Sequence, residues 1–186
     1  MDCRQALEAN GSDVDRALAW LRERHVAAAT RRKQRATPNG LVTSYLHSTG
    51  DYPVLIGVLL ELNCESDFVA KTDRFRELAR ELAMQVAATS PRWSIIELVP
   101  PDIVRERRES ALLDARAEGR PERVWQQVVD GRLRKFYEST VLYEQIWIRD
   151  STKKVGDLVK EHIATLQENI VVRRFCRFDV RSDGQQ

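Results

Sequence analysis

Residues 54–63, which read Val-Leu-Ile-Gly-Val-Leu-Leu-Glu-Leu-Asn, constrain the fold more than any other segment. Both alternating sets of side chains are largely apolar, as is typical of a β-strand that is covered on both faces. A second strand-like run occupies residues 40–47, and the residues between the two runs have the composition of a hairpin loop. The two runs therefore predict an antiparallel pair. We expect a helix to cover one face of residues 54–63, and a partner chain is the candidate cover of the other.

Helical patterns occupy much of the remaining chain. Residues 73–88 repeat apolar side chains at steps of three and four, with Thr72 as the candidate N-cap. Two further helices are expected to begin at Pro101 and Pro121, because proline suits the first turn of a helix. Residues 151–167 predict one more amphipathic helix, and the residues that follow Tyr137 look irregular.

A final strand is predicted over residues 170–180, where polarity alternates with a period of two. One face is expected to carry Ile170, Val172, Cys176, Phe178 and Val180, and the other Arg173, Arg177 and Asp179, with Arg174 as the main exception to the alternation. The order helix, helix, strand, strand, helices, strand predicts an α+β fold. In this fold, helices cover a small three-stranded antiparallel sheet.

The N-terminal residues predict a small helical module. Residues 1–9 are compatible with a helix that ends at Asn10-Gly11, and Ser12 is the candidate N-cap of a second helix. Residues 26–39 show no apolar periodicity and predict a linker. The expected organisation is therefore a partial helical module over residues 1–25, a linker over 26–39, a core domain over 40–182 and a tail over 183–186.

Composition argues against several classes of protein. The 186 residues include 30 basic and 28 acidic side chains, and this balance gives no overall signature of nucleic-acid or membrane binding. The three cysteines are widely spaced without a CxxC pair, so neither a disulfide framework nor a metal site is indicated. No apolar run is long enough to cross a bilayer, and the first residues lack a signal-peptide pattern. We expect a cytoplasmic protein without a cofactor, and an organelle protein whose transit peptide has been removed is the alternative.

The segment 61–71, Glu-Leu-Asn-Cys-Glu-Ser-Asp-Phe-Val-Ala-Lys, places a polar turn with an aromatic side chain between a strand and a helix. It resembles the strand-to-helix signature of the elongation factor Ts family, with Ser66 where the family has threonine. Residues 1–7 with 17–22, and residues 168–175, resemble the same family in the same order along the chain. The resemblance implies a guanine-nucleotide exchange factor. Such a protein is not an enzyme but a binding protein that promotes the release of GDP from elongation factor Tu.

The resemblance also assigns roles to the turn. It implies that Phe68 inserts between side chains of the G domain of elongation factor Tu, and that Asp67 approaches the region that organises Mg²⁺. Ser66 and Val69 are expected to support the turn and to share the partner-binding surface. From spacing alone, Phe68 is equally consistent with a core aromatic and Asp67 with the N-cap of the following helix.

Two further implications concern the module and the oligomeric state. The N-terminal module of the family resembles a three-helix ubiquitin-associated fold, and residues 1–25 correspond to its second and third helices. Short members of the family resemble dimers built on such sheets. Cys176 is therefore a candidate for an intersubunit disulfide across a two-fold axis. The alternative is that Cys176 is a core cysteine without a disulfide.

Other functions remain as alternatives. An RNA-binding or ribosome-associated module would use the basic cluster over residues 31–35 together with Arg173, Arg174 and Arg177. Short basic runs are weak motifs, so nucleic-acid binding is not the expected function. Cys64 stands next to Glu65, but no histidine lies in a nucleophile motif, and a small buried hydrophobe is the expected role of Cys64. A structural family member without activity is the third alternative.

Overall fold

A computed structural model describes residues 2–48 and 53–180. The predicted loop residues 49–52 and the predicted tail, 183–186, lie outside this range. The chain divides into two compact units, one formed by Met1–Ala87 with Asp157–Gln186 and the other by Ala88–Gly156.

The helices and strands follow one another in an α+β order. The α-helices are α1 (Asp2–Ala9), α2 (Val14–Arg32), α3 (Asp67–Ala70), α4 (Asp73–Thr89), α5 (Pro101–Ala117), α6 (Trp125–Thr140) and α7 (Val155–Leu166). The strands are β1 (Asn39–His47), β2 (Ile56–Cys64), β3 (Ile146–Trp147), β4 (Asp150–Lys154) and β5 (Ile170–Asp179). A small antiparallel sheet with the order β1-β2-β5 confirms the predicted three-stranded architecture.

The core of the first unit lies on one side of the central strand. Val58, Leu60 and Leu62 of β2 are buried, and the inward face of α4 buries a periodic row of apolar side chains, namely Phe75, Leu78, Ala79, Leu82, Ala83 and Val86. The predicted cap of this helix is confirmed, because Thr72 Oγ1 accepts a hydrogen bond of 3.3 Å from the N–H of Phe75. A three-to-four-residue apolar repeat thus becomes a buried helix face.

The predicted faces of the last strand are wrong beyond Val172, because β5 contains a bulge. Leu62 pairs with Val172 but Glu61 pairs with Arg174, so Arg173 is an additional residue on β5. An additional residue shifts the alternation by one position, and every later side chain changes face. Cys176 and Phe178 therefore lie opposite Leu59 and Gly57, and Arg177 lies opposite the buried Val58.

The bulge leaves an apolar surface on the other side of the sheet, which we call the open sheet face. It consists of Val42, Leu46, Leu59, Cys176 and Phe178. Within the single chain, all of these except the half-buried Cys176 are exposed, and Phe178 retains 62% of its accessible surface. The central strand is thus apolar on both faces as predicted, but the single chain covers only one of them.

Helix α2 differs from the prediction at both ends. Its N-cap is Asp13, whose Oδ1 accepts a hydrogen bond of 3.0 Å from the N–H of Arg16, whereas Ser12 has a positive φ of 64°. Its C-terminal end extends to Arg32 and so includes the first half of the predicted linker. Alanine-rich segments favour helix intrinsically, and residues 26–32 are mostly exposed, so this part of the helix forms without an apolar repeat.

The second unit contains the helix pair α5 and α6. Ala111, Val129 and Leu133 form a small core between them, and Arg132 makes ion pairs with Asp114 and Glu118. Pro101 begins α5 as predicted, whereas a 3-10 turn separates Pro121 from the start of α6. Strands β3 and β4 form a short hairpin after α6, which the sequence did not predict, and the helix expected from residue 151 begins at Val155.

Each helix within residues 2–48 and 53–180 is too short or too polar to span a lipid bilayer.

Candidate functional site

The turn after β2 is built by Ser66. This residue has an extended backbone, and its Oγ accepts a hydrogen bond of 3.3 Å from the N–H of Val69, which makes Ser66 the N-cap of the single-turn helix α3. Asp67 is the first residue of α3, so the alternative in which Asp67 is the N-cap is wrong. The hydroxyl that serine shares with threonine is therefore the group that this position needs.

Phe68 projects from the first turn of α3 into solvent. It retains 79% of its accessible surface, although it is a large aromatic side chain. The alternative in which Phe68 is part of the core is therefore wrong. An exposed aromatic ring at the tip of a turn contributes nothing to the core and is available to a partner.

Asp67 is paired with the lysine one turn further on. Its Oδ2 lies 2.6 Å from Nζ of Lys71, and this hydrogen bond lowers the pKa of Asp67 below its ordinary value. Both side chains are more than half exposed. The corner thus presents an ionised carboxylate beside the exposed aromatic ring, with a cation next to it. We refer to Ser66, Asp67, Phe68 and Val69 as the Phe68 corner.

Glu168 holds the Phe68 corner from the other end of the chain. Its Oε2 accepts hydrogen bonds from the N–H groups of Glu65, at 3.1 Å, and Ser66, at 3.0 Å. Its Oε1 accepts a hydrogen bond of 2.5 Å from the Ser66 hydroxyl. A carboxylate that accepts several hydrogen bonds fixes the backbone strongly, since such bonds are stronger than neutral ones. In the sequence, Glu168 belongs to a segment that resembles the family, but no local pattern predicted that it supports the turn at Ser66.

Glu65 makes a hydrogen bond in the opposite direction, to the residue that follows Glu168. Its Oε1 accepts a hydrogen bond of 2.6 Å from the N–H of Asn169, and its carbonyl accepts one of 2.8 Å from Nδ2 of Asn39. Asn169 Nδ2 in turn donates to the carbonyl of Arg35 at 2.9 Å. The segment before β1, the turn after β2 and the turn before β5 are therefore joined in one hydrogen-bonded network, and the Phe68 corner stands on it.

Cys64 lies at the base of the same corner, in surroundings that disfavour a nucleophilic thiolate. Its side chain is fully buried, and its Sγ–H donates to the carbonyl of Ser66 at 3.1 Å. Burial, with the nearby negative charge of Glu168, raises the pKa of Cys64 to about 11. The reactive form of a cysteine is the thiolate, which these surroundings suppress.

The raised pKa makes a prediction about alkaline stability. Because the pKa in the folded state, about 11, is above the ordinary 9.0, the fold favours the neutral thiol. This contribution is complete below pH 9.0 and is lost as the pH rises to about 11. We expect the free energy of unfolding, measured with urea, to fall over this interval. The fall should be smaller in Cys64→Ala, and an identical pH profile in the two proteins would contradict the assignment.

The arginines of the RNA-binding alternative do not form one surface on β5. Arg177 lies on the buried face, where it donates to the carbonyl of Ala87 and pairs with Asp179. Arg174 lies on the opposite face and pairs with Glu61 at 2.7 Å. In the part of the chain that the structure describes, no group of three or more His, Cys, Asp or Glu side chains is arranged to hold a metal ion.

Comparison with known proteins identifies the family. The family model described as elongation factor TS matches residues 11–182. The elongation factor Ts of Thermotoga neapolitana is 45% identical over 184 residues, which cover 99% of this chain and 90% of the relative. Those of Thermoanaerobacter pseudethanolicus and Anaeromyxobacter dehalogenans are 47% and 44% identical, over 99% and 96% of this chain and 88% and 80% of the relatives. The chain therefore belongs to the elongation factor Ts family of translation elongation factors.

Proposed function

We propose that this chain is a guanine-nucleotide exchange factor that acts on elongation factor Tu in the cytoplasm, and that it works by binding alone, without chemistry of its own. The observation that carries the proposal is Phe68, an aromatic side chain that is 79% exposed on a corner fixed by hydrogen bonds. Family membership supports the partner, and the exposed corner supports the site.

Phe68 is suited to act as a wedge. An aromatic ring buries a large apolar area and has few rotatable bonds, so its insertion between partner side chains loses little conformational entropy. The network around Glu168 and Glu65 already orders the backbone that carries the ring. Binding therefore needs little further ordering of the corner, which favours affinity.

Asp67 provides the electrostatic part of the proposed mechanism. Bound GDP is held by backbone N–H groups, by a helix N-terminus and by Mg²⁺, and each of these depends on geometry. A carboxylate brought near that ion by the inserted Phe68 competes for hydrogen bonds and changes the local field. The exchange factor then stabilises the nucleotide-free conformation. Reciprocity requires that GDP weaken its binding by the same factor.

The direct test is the release of a fluorescent GDP analogue from elongation factor Tu. The purified chain is added together with an excess of unlabelled GDP, and the fluorescence decay is followed at several concentrations of the chain. We expect the release rate to rise with concentration and then to saturate. A rate equal to the spontaneous one at all concentrations would overturn the proposal.

We further propose that two copies of this chain associate through the open sheet face. This face exposes Val42, Leu46, Leu59 and Phe178 on one side of the sheet, with Cys176 opposite Leu59. Contiguous exposed apolar side chains mark interaction sites, and most soluble homo-oligomers are two-fold symmetric. Two such faces would bury each other, and Cys176 is the candidate for a disulfide between the copies.

The dimer predicts the effect of a charge on the open sheet face. We expect the unmodified chain to sediment as a dimer, and Phe178→Asp to shift it to the monomer, because the new carboxylate would be buried without a partner. Leu113→Asp is the matched control, since Leu113 is similarly exposed, at 63%, on α5 of the other unit. The assignment would be contradicted if the unmodified chain were already a monomer, or if Phe178→Asp remained a dimer like Leu113→Asp. Cys176→Ser should abolish only the disulfide-linked band in non-reducing electrophoresis.

A further inference from the structure

A strongly basic cavity lies between the C-terminal half of α2 and the end of α7. Its volume is about 360 Å³, and its lining includes Arg24, His25, Arg31, Arg32 and Arg35. The remaining lining comes from the apolar side chains of Leu21, Ala28 and Ala164 and from Gln167. Among the described residues, no carboxylate belongs to the lining. We call this the arginine cavity.

Hydrogen bonds to the backbone hold several of these guanidinium groups in place. Arg32 Nε donates to the carbonyl of Gln167 at 3.0 Å, and its Nη1 donates to the carbonyl of Ala28 at 3.2 Å. Arg31 Nε donates to the carbonyl of Ala27 at 3.2 Å. A guanidinium group has five N–H donors, so each group is oriented by some of its donors while others remain for a ligand.

The charges in the arginine cavity are only partly balanced. Arg35 Nη1 lies 3.4 Å from Oε2 of Glu65, whereas Arg24 is held by the neutral side chain of Gln5. Four guanidinium groups around one cavity repel each other, and a bound anion would offset this repulsion by attracting all four. The whole chain has a formal net charge of only +2, so this concentration of positive charge is local.

We propose that the arginine cavity is a binding site for ligands with two or more phosphate groups. Guanidinium groups match the geometry of phosphate through paired N–H donors. The volume of about 360 Å³ lies near the lower end of the range of small-ligand sites, roughly 300–1,000 Å³. Among the described residues, the lining has no Phe, Tyr or Trp ring, and four guanidinium groups stand against the single imidazole of His25 on which a base could stack. Recognition is therefore through phosphate, which an RNA strand and a free polyphosphate both provide.

The site is tested on the full chain with two probes. One is a fluorescein-labelled single-stranded RNA of about 12 nucleotides, followed by anisotropy at several salt concentrations. The other is inorganic pyrophosphate, followed by calorimetry. If the RNA binds and pyrophosphate displaces it, the cavity binds an RNA strand. If pyrophosphate binds and the RNA does not, the cavity binds a free polyphosphate. The absence of binding by either probe overturns the proposal.

Matched variants separate the cavity from general charge attraction. Arg24→Gln with Arg31→Gln removes two charges from the lining, and neither residue makes an ion pair in the described structure. Arg108→Gln with Arg134→Gln removes the same charge from exposed positions on α5 and α6. We expect about tenfold weaker binding of the bound probe in the cavity variant only. For RNA, the slope of affinity against salt should fall by about 0.7 for each lost contact. Equal losses in the two variants would overturn the proposal, and thermal melting checks that both are folded.

Discussion

Phe68→Ala is expected to lower the rate of GDP release from elongation factor Tu by more than about tenfold, with the fold intact. The reason is that the ring is 79% exposed, so its removal creates no cavity in the chain. In the complex, the same change removes the aromatic group that is proposed to separate partner side chains. Aromatic anchors of this kind are among the largest single contributors to protein interfaces.

The measurement is the rate of release of a fluorescent GDP analogue at increasing concentrations of the variant. If the release rate remains low when the variant is saturating, Phe68 acts on the conformational change that releases GDP. If the rate recovers at saturation, Phe68 contributes only to binding of elongation factor Tu. Leu113→Ala is the matched control, because Leu113 is an exposed apolar side chain outside the Phe68 corner. A release rate for Phe68→Ala that equals that of the unchanged chain would refute the assigned role.

Glu168→Ala is expected to lower both the stability of the fold and the exchange rate. The change removes the acceptor of the Glu65 and Ser66 N–H groups and of the Ser66 hydroxyl. Partly buried donors that lose a charged acceptor cost about 1–3 kcal/mol, so we expect urea unfolding to report a loss of that order. The corner that carries Phe68 would also lose its support, so exchange should fall as well.

Graded variants distinguish support of the corner from loss of the fold. Glu168→Gln retains one acceptor oxygen and should lie between Glu168→Ala and the unchanged chain in both measurements. Glu106→Ala, an exposed position on α5, should change stability by no more than about 0.5 kcal/mol. Exchange is compared under conditions in which circular dichroism shows every variant folded. Normal exchange by a folded Glu168→Ala would show that the corner does not depend on this carboxylate.

Local patterns in the sequence predicted a substantial part of the fold. The apolar repeat of α4 and its Thr72 cap follow from interactions within one or two helical turns, which a short window of sequence contains. The antiparallel pair β1 and β2 follows from two apolar runs around a turn. The position of the Phe68 corner followed from a resemblance, while its exposure and its Ser66 cap required the structure.

The missed features depend on pairings or contexts that a short window of sequence does not contain. The extra residue Arg173 is defined only by the register of β5 against β2, so the alternation of residues 170–180 could not reveal the change of face. Glu168 contacts a residue that is 102 positions earlier. The length of α2 was underestimated because an exposed alanine-rich helix needs no apolar repeat.

The hydrogen-bonded network beneath the Phe68 corner can form only after the C-terminal part of the chain has been synthesised. Glu65 and Ser66 are translated early, but the carboxylate that fixes them belongs to Glu168, and the central strand gains its second neighbour only with β5. Contacts between residues so distant in the chain form late, because closing a long loop costs entropy before the contact stabilises it. A chain that ends before Glu168 lacks the carboxylate that accepts the hydrogen bonds of Glu65 and Ser66. The proposed exchange activity therefore depends on the synthesis of the last strand.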